Sequence, residues 1–247
     1  MLILLTNDDS IRSEGILALQ RRLNKKHEVY IVAPDRERTC IANAITLHKP
    51  LRLHKAGLNV FTTNGTPADC VYLAVRVVLK KKPDLLISGL NEGPNMGQDI
   101  HYSGTVAAAK EGAFLGIASM AVSLSGRRDF HFDTAIKVVE EIIHRVAHKP
   151  FVDSTFLNIN IPNVPYHKIK GFAVTKLGKR IYNDTVIERT DPRGRKYYWI
   201  AGNEELYEPV KGTDFYAVAR CYVSVTPLGL DTTNGTSLEQ YKKYFRR

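Results

Sequence analysis

The chain begins with Met1-Leu2-Ile3-Leu4-Leu5-Thr6-Asn7-Asp8-Asp9-Ser10, a short apolar run that passes directly into polar residues. A second apolar run occupies residues 29–33, and Ile16, Leu19 and Leu23 recur between the two runs at helical spacing. Short continuous apolar runs are typical of strands buried on both faces of a sheet. This part of the sequence therefore predicts a strand, a helix and a second strand parallel to the first.

The same alternation continues to about residue 146. Further strands are expected at residues 59–62, 84–88 and 118–124. Helices are expected after Thr66-Pro67, over residues 103–115, and along the stripe Ile136, Val139, Ile143 and Val146. Strands separated by helices form a parallel sheet with helices on both sides. The sequence thus predicts an α/β fold, a Rossmann-like three-layer sandwich with a mostly parallel sheet.

The second half of the chain has a different pattern. Residues 157–161 alternate apolar residues with Asn158 and Asn160, which predicts a half-exposed strand, and residues 171–177 predict another. We therefore divide the chain into a Rossmann-like catalytic core, residues 1–165, and a C-terminal part, residues 166–247.

The C-terminal part is expected to carry two projecting elements. The turn signal Asp191-Pro192-Arg193-Gly194 predicts a β-hairpin arm over about residues 182–202, and this arm includes Tyr197, Tyr198 and Trp199. The aromatic side chains fit a protein contact or a hairpin that lies on its own domain. Leu238, Tyr241 and Phe245 stand at helical spacing and predict a terminal helix.

Composition limits the class of protein. The chain has 247 residues, of which 44% are hydrophobic, and no apolar run approaches the ~18 residues that a membrane span requires. The N-terminus has no basic segment before its apolar run, so we interpret it as a strand and not as a signal peptide. Three cysteines at unrelated spacings favour a reducing, cytoplasmic context. Without an apolar run of spanning length, no membrane partner is expected.

The formal net charge of +10 indicates an anionic partner. Basic residues are spread along the chain and are not interleaved with aromatic residues as in nucleic-acid modules. The charge by itself fits phosphorylated small molecules as well as it fits polymers. Without a known nucleic-acid module, we expect no stable nucleic-acid complex.

The carboxyl ends of the predicted strands carry the candidate site, because ligands of open α/β sheets bind there. Asp8 and Asp9 directly follow the first strand. Two adjacent carboxylates repel each other in a crevice unless a cation lies between them, and oxygen ligands favour Mg²⁺, Mn²⁺ or Ca²⁺. The alternative is a solvated turn or a helix cap.

Three further loops are candidates for the same site. Residues 34–39 offer the Thr39 hydroxyl, and residues 88–97 form a glycine-rich loop that carries Asn91 and Asn95. Ser103 and Thr105 precede a predicted helix, whose N-terminus favours phosphate. The alternatives are a charged loop, a turn and ordinary helix capping. No G-x-G-x-x-G follows the first strand and no P-loop motif occurs, so these nucleotide-binding sites are not supported.

Taken together, the loops resemble the SurE (survival protein E) nucleotidase family. The matching segments are Thr6-Asn7-Asp8-Asp9, Ala33-Pro34-Asp35-Arg36 through Arg38, Gly65-Thr66-Pro67-Ala68-Asp69-Cys70-Val71, Ser88-Gly89-Leu90-Asn91, Gly93-Pro94-Asn95-Met96-Gly97 and Ser103-Gly104-Thr105-Val106. The resemblance covers the N-terminal half closely and the remainder loosely. It implies a Rossmann-like fold, a divalent metal and activity on nucleoside 5′- and 3′-monophosphates.

The resemblance also implies roles for particular residues. The ligands of one divalent metal ion per subunit would be Asp8, Asp9, Thr39 and Asn91, with Asp8 and Asp9 also catalytic. Phosphate would be held by Asn95, Ser103, Gly104 and Thr105. The family forms dimers or tetramers through its arm and C-terminal tail, so we expect a homodimer or homotetramer.

Three residues depart from the family pattern. Ser10 stands where the family usually has Gly and would cost on the order of 1 kcal/mol if the position needs a positive φ. Thr39 stands where Ser is usual, and Glu92 where the family has a small or basic residue.

The predicted function is hydrolysis of a nucleoside monophosphate by a water molecule that the metal activates. The alternatives are a nucleotide-sensing protein without turnover and a nucleic-acid-binding protein.

Overall fold

A computed structural model describes residues 1–146, 151–181, 184–202 and 206–246. Its strands are β1 Leu2–Thr6, β2 Glu28–Pro34, β3 Leu53–Gly57, β4 Val60–Thr63, β5 Leu85–Glu92, β6 Ser119–Ser125, β7 Thr155–Pro162, β8 Phe172–Val174, β9 Arg180–Ile181, β10 Asp184–Thr190, β11 Lys196–Gly202, β12 Leu206–Tyr207 and β13 Val223–Gly229. The helices are α1 Glu14–Leu23, α2 Pro67–Leu73, α3 Gly104–Phe114, α4 Phe132–Val146, α5 Asp214–Val218 and α6 Gly235–Tyr244. A π-helical turn covers Ala74–Val78, and 3₁₀ turns cover Gly97–His101 and Tyr166–Lys168.

A nine-stranded sheet forms the centre of the molecule, in the order β3-β4-β2-β1-β5-β6-β7-β13-β8. The strands from β4 to β7 in this order are parallel, whereas β3 and β13 run antiparallel to their neighbours β4 and β7. From β1 the chain first builds the sheet toward β2 and β4, and later toward β5, β6 and β7. The topological switch point therefore lies between β1 and β5, where the carboxyl ends of the strands open a crevice.

Helices cover both faces of this sheet. Ile16 and Leu19 of α1 and Val139 and Ile142 of α4 are buried in one core cluster, and α2 and α3 contribute Val71, Ala108 and Ala109 to the other. The Rossmann-like three-layer sandwich with a mostly parallel sheet is thus confirmed.

The start of α2 shows how the local sequence sets a boundary. The Thr66 hydroxyl accepts a hydrogen bond from the Asp69 N–H at 3.1 Å, and the Asp69 carboxylate accepts one from the Thr66 N–H at 2.8 Å. Pro67 occupies the first helical position, where no N–H is needed. This capping box is the helix start that the sequence predicts.

Two local expectations were wrong. The predicted loop at residues 88–97 is shorter, because β5 continues to Glu92 through an irregularity in its pairing with β6. Strand β7 is not half-exposed: Asn158 and Asn160 are fully buried, since residues 94–97 cross over their face and both amides donate to the Asn95 carbonyl at 2.8 and 2.9 Å.

The C-terminal part shares the central sheet. Strands β8 and β13 both come from beyond residue 165, and β13 was not predicted. It contains Pro227, which removes a backbone donor and normally argues against a central strand. The division at residue 165 stays a prediction.

Both projecting elements are present. Strands β10 and β11 pair across a turn in which the Gly194 N–H donates to the Asp191 carbonyl at 3.0 Å, and α6 forms the tail. Residues 182–183 of the predicted arm, and residues 203–205 and Arg247 of the C-terminal part, lie outside the described residues. Among the described residues, no helix has the length and hydrophobicity needed to cross a membrane.

Candidate active site

Asp8 and Asp9 lie at the carboxyl end of β1, at the switch point. Asn7 shapes this turn, because its side-chain amide donates to the Ser10 carbonyl at 2.9 Å and to the Ser13 hydroxyl at 2.8 Å. Ser10 has a φ of 90°, so the positive φ considered from the sequence is present. The turn presents two carboxylates toward α3 and β5.

The two carboxylates are poorly compensated. Burial is the main cause that raises the pKa of Asp8, and burial together with the charges of Asp8 and Glu92 raises the pKa of Asp9 to about 7. Asp9 Oδ2 is buried without a hydrogen-bond partner among the described residues. An uncompensated buried carboxylate is costly, so the pair fits a bound cation.

Asn91 offers a neutral oxygen to the same place. Its Nδ2 donates to the Gly93 carbonyl at 2.9 Å, and its Oδ1 lies 3.1 Å from the Thr105 hydroxyl. The Thr105 hydroxyl also bonds to Asp8 Oδ1. Asn91 Oδ1 and the Asp8 carboxylate therefore flank one hydroxyl and lie close to each other.

Thr39 lies at the edge of this group. The neighbouring Arg38 N–H donates to the Asp8 carbonyl at 2.7 Å, which holds the segment against the site. The Thr39 side chain is exposed, however, and its hydroxyl bonds to the Glu37 carboxylate. Thr39 would need to turn from Glu37 toward the carboxylates in order to bind an ion.

The N-terminus of α3 faces the carboxylates. The Ser103 hydroxyl accepts from the Val106 N–H at 3.1 Å, so ordinary capping occurs, and its own hydrogen stays available for a ligand. A Cβ on Gly104 would stand 2.9 Å from Asp8 Oδ2. Helix and carboxylate are thus in direct contact, and the first amides of α3 open onto the site.

Asn95 lies on the side of the site toward β6 and β7. Its N–H donates to Asn160 Oδ1 at 2.9 Å, and its Nδ2 donates to the Ser123 hydroxyl at 2.8 Å. Asn158 and Asn160 fix its carbonyl. The sequence did not lead us to assign a role to these two supporting residues, although their alternation with apolar residues in β7 was visible.

The candidate donors at this place are oxygen atoms. Within the part of the chain that the structure describes, no three His, Cys, Asp or Glu side chains are grouped as metal ligands. An ion at Asp8 and Asp9 must therefore be completed by neutral oxygens such as that of Asn91. All of these are hard oxygen donors, which suit Mg²⁺, Mn²⁺ or Ca²⁺.

Fold and site together define a Rossmann-like α/β protein with a buried carboxylate pair beside a helix N-terminus at the switch point. Residues 3–184 match the sequence model of the family described as Survival protein SurE. The chain belongs to this family, and the resemblance seen in the sequence is confirmed.

Individual relatives agree with this assignment. The protein named 5′-nucleotidase SurE of Alkalilimnicola ehrlichii is 46% identical over 242 residues, which cover 97% of this chain and 93% of the relative. The protein of the same name from Aquifex aeolicus is 46% identical over 241 residues, 97% of this chain and 96% of its own. The crystal structure of the SurE protein from Aquifex aeolicus superposes with a TM-score of 0.91 at 45% identity and covers 100% of both chains.

Proposed function

We propose that this protein is a 5′-nucleotidase, a phosphatase that hydrolyses nucleoside 5′- and 3′-monophosphates to nucleoside and phosphate. The 5′-nucleotidase activity in the names of its full-length relatives supports the reaction class. The observation that carries the proposal for this chain is the contact between the Asp8 carboxylate and the start of α3. It supports a cation site and a phosphate site that lie side by side.

One divalent ion per subunit would be held by Asp8, Asp9 and Asn91, with Thr39 completing the set after it leaves Glu37. When bound, the ion supplies Lewis-acid polarisation of phosphate and water. The partnerless Asp9 Oδ2 and the uncompensated charge of the pair support this assignment. We propose that this ion is Mg²⁺, Mn²⁺ or Ca²⁺.

The phosphate would be held by the start of α3. The first amides of the helix, including that of Gly104, and the Ser103 hydroxyl would donate to its oxygens, and the helix dipole favours its charge. Thr105 would join them once its hydroxyl hydrogen turns from Asp8 Oδ1 to phosphate. Donors fixed in advance stabilise the charge that develops on these oxygens during the reaction. Asn95 would close the side of the phosphate site that faces β6. Its amide would then donate to phosphate in place of the Ser123 hydroxyl.

The carboxylates have a second role in this proposal, which is to accept the proton of the attacking water. Asp8 Oδ1 already accepts the Thr105 hydroxyl hydrogen, whereas Asp9 Oδ2 has no partner among the described residues. Asp9 is therefore the carboxylate that we assign to this proton.

We also propose that the protein forms a homo-oligomer and is located in the cytoplasm. Exposed aromatic residues on the arm and tail support a homodimer or homotetramer, and the three free cysteines suit the reducing cytoplasm.

The test is release of inorganic phosphate by metal-stripped protein to which single divalent ions are added back, measured over a panel of phosphomonoesters. We expect release from nucleoside monophosphates only with an ion present. A nucleotide sensor would bind these compounds and release no phosphate. A nucleic-acid-binding protein would bind duplex with an affinity that falls steeply with salt.

A further inference from the structure

We propose that a cleft beside the phosphate site binds the heterocyclic base of the nucleotide. The cleft has a volume of about 210 Å³. Its main lining residues are Pro94, Met96, Ser125, Arg127, Tyr207 and Phe215. We call it the base cleft. The inference rests on the proposed function and adds a subsite for the part of the substrate that does not react.

The base cleft lies at the right separation from the phosphate site. Its residues Pro94 and Met96 flank Asn95, one of the proposed phosphate ligands. Asn91 pairs with Ser123 across β5 and β6, and Ser125 lies two residues further along the same face. The path from Asn91 to Ser125 crosses one strand spacing and runs along two residues of strand, which corresponds to a distance of about 8 Å. A ribose that joins phosphate to base spans a comparable distance.

The walls of the base cleft suit a flat ring. Tyr207 and Phe215 are stacked, with ring centroids 5.1 Å apart and an angle of 9° between the planes. Met96 and Pro94 add further apolar surface. Bases stack on aromatic side chains whatever their identity, so a base entering here would extend an existing stack.

One residue that lines the base cleft, Ser125, has a hydroxyl group without a hydrogen-bond partner among the described residues. The Oγ atom of this hydroxyl is buried. A buried hydroxyl left unpaired costs free energy, which a bound base with a donor or acceptor on its edge would recover. Ser125 is the residue that we assign to the base edge, and its hydroxyl would contact the base after rotating from its buried position into the base cleft.

The base cleft is held open by hydrogen bonds outside it. The Asp214 carboxylate accepts from the Gly97 N–H at 2.8 Å and the Gly178 N–H at 2.7 Å, and thereby fixes the start of α5 against the loop that carries Met96. Phe215 follows directly and is 3% exposed. Because this wall of the base cleft is ordered before the base binds, binding loses less conformational entropy.

The experiment compares a substrate that has a base with one that has none, AMP and ribose 5-phosphate, in the metal-loaded protein. Tyr207→Leu should raise KM for AMP about ten-fold, the loss expected for one stacking contact, and leave kcat/KM for ribose 5-phosphate within about two-fold. Tyr72→Leu is the matched control, a partly exposed tyrosine on α2, and should change neither value. Ser125→Ala should alter the ratio of KM values among nucleotides with different bases.

Two results would overturn the subsite and leave the proposed function standing: an unchanged KM for AMP in Tyr207→Leu, or an equal loss for both substrates. If the parent protein releases phosphate from neither compound, the proposed function fails, and calorimetry with adenosine then decides the subsite by itself. Adenosine binding that Tyr207→Leu weakens about ten-fold supports it, and binding that is absent or unaffected overturns it.

Discussion

Gly104, the first residue of α3, lies so close to Asp8 that a Cβ added to it would stand 2.9 Å from both Cβ and Oδ2 of Asp8. Gly104→Ala should therefore push the carboxylate away from Thr105 and lower kcat/KM for AMP by about 100-fold, since a displacement near 1 Å has effects of this size. Gly235→Ala is the matched control. Gly235 is also the first residue of a helix, and its added Cβ would meet no atom within 4 Å, so activity should be unchanged. Equal activity of both variants would contradict the close contact.

The carboxylates themselves provide the second prediction. Asp8→Asn and Asp9→Asn should abolish hydrolysis and leave the fold intact, because each removes a charge that holds the ion. Without metal, both variants should unfold at or above the temperature of the parent, since the repulsion within the pair is gone.

Thermal unfolding with and without a divalent ion measures the second effect. The parent should gain about 2.7 kcal/mol at an ion concentration one hundred times its Kd, and the variants should gain little. Near-parental hydrolysis by both variants, or activity that survives exhaustive chelation, would show that the reaction does not need this site.

Ser103 combines two roles that its variants separate. Ser103→Ala should lower turnover about 100-fold, because one fixed donor to phosphate is lost, and should cost about 1 kcal/mol of stability as the α3 cap is lost. Ser103→Thr keeps both the cap and the donor and should restore most of each. A lowered melting temperature with unchanged turnover would leave capping as the only role.

Ser10 predicts a gain in stability. Its φ of 90° is unfavourable for a residue with a Cβ by about 1–2 kcal/mol, whereas glycine tolerates it. Ser10→Gly should therefore raise the free energy of unfolding by about 1 kcal/mol, measured by denaturant titration. Ser10→Ala loses the same hydroxyl but retains the Cβ, and should give no gain. If both variants behave alike, backbone strain is not the cause.

Exposed apolar side chains on the arm and tail predict assembly. Trp199 and Ile200 are 63% and 92% exposed, and Tyr241 and Phe245 of the tail are 56% and 83% exposed. Patches of this kind mark protein contacts. Light scattering at micromolar concentration should give a dimer or tetramer, and Tyr241→Glu with Phe245→Glu should lower the mass. A monomeric parent would remove this prediction.

Local patterns were sufficient for several elements in the first half of the fold, although β3 was not predicted. The apolar run before Asp8, the stripe of α1 and the capping box at Thr66 each depend on neighbours in sequence, so their elements form as the sequence predicts. The position of Asp8 and Asp9 followed from the same logic, because a loop after a buried parallel strand must open at the edge of the sheet.

The contributions of distant segments could not be predicted in this way. Asn158 and Asn160 alternate as if half-exposed, and they are buried by distant segments, including residues 94–97, whose Asn95 carbonyl both amides contact. Strand β13 contains Pro227 and is recognisable only through its pairing with β7. Thr39 was assigned by resemblance, and its engagement with Glu37 depends on the side chains around it.

The bond from Gly97 to Asp214 also has a consequence for biosynthesis. The two residues are 117 positions apart, so a ribosome adding about 5–20 residues per second needs on the order of 10 s to travel from one to the other. Until then the loop bearing Asn95 lacks one of its anchors, and β7 lacks its neighbour β13. The nascent chain thus carries its carboxylates long before it can orient a substrate, and a product truncated before Asp214 has an incomplete pocket.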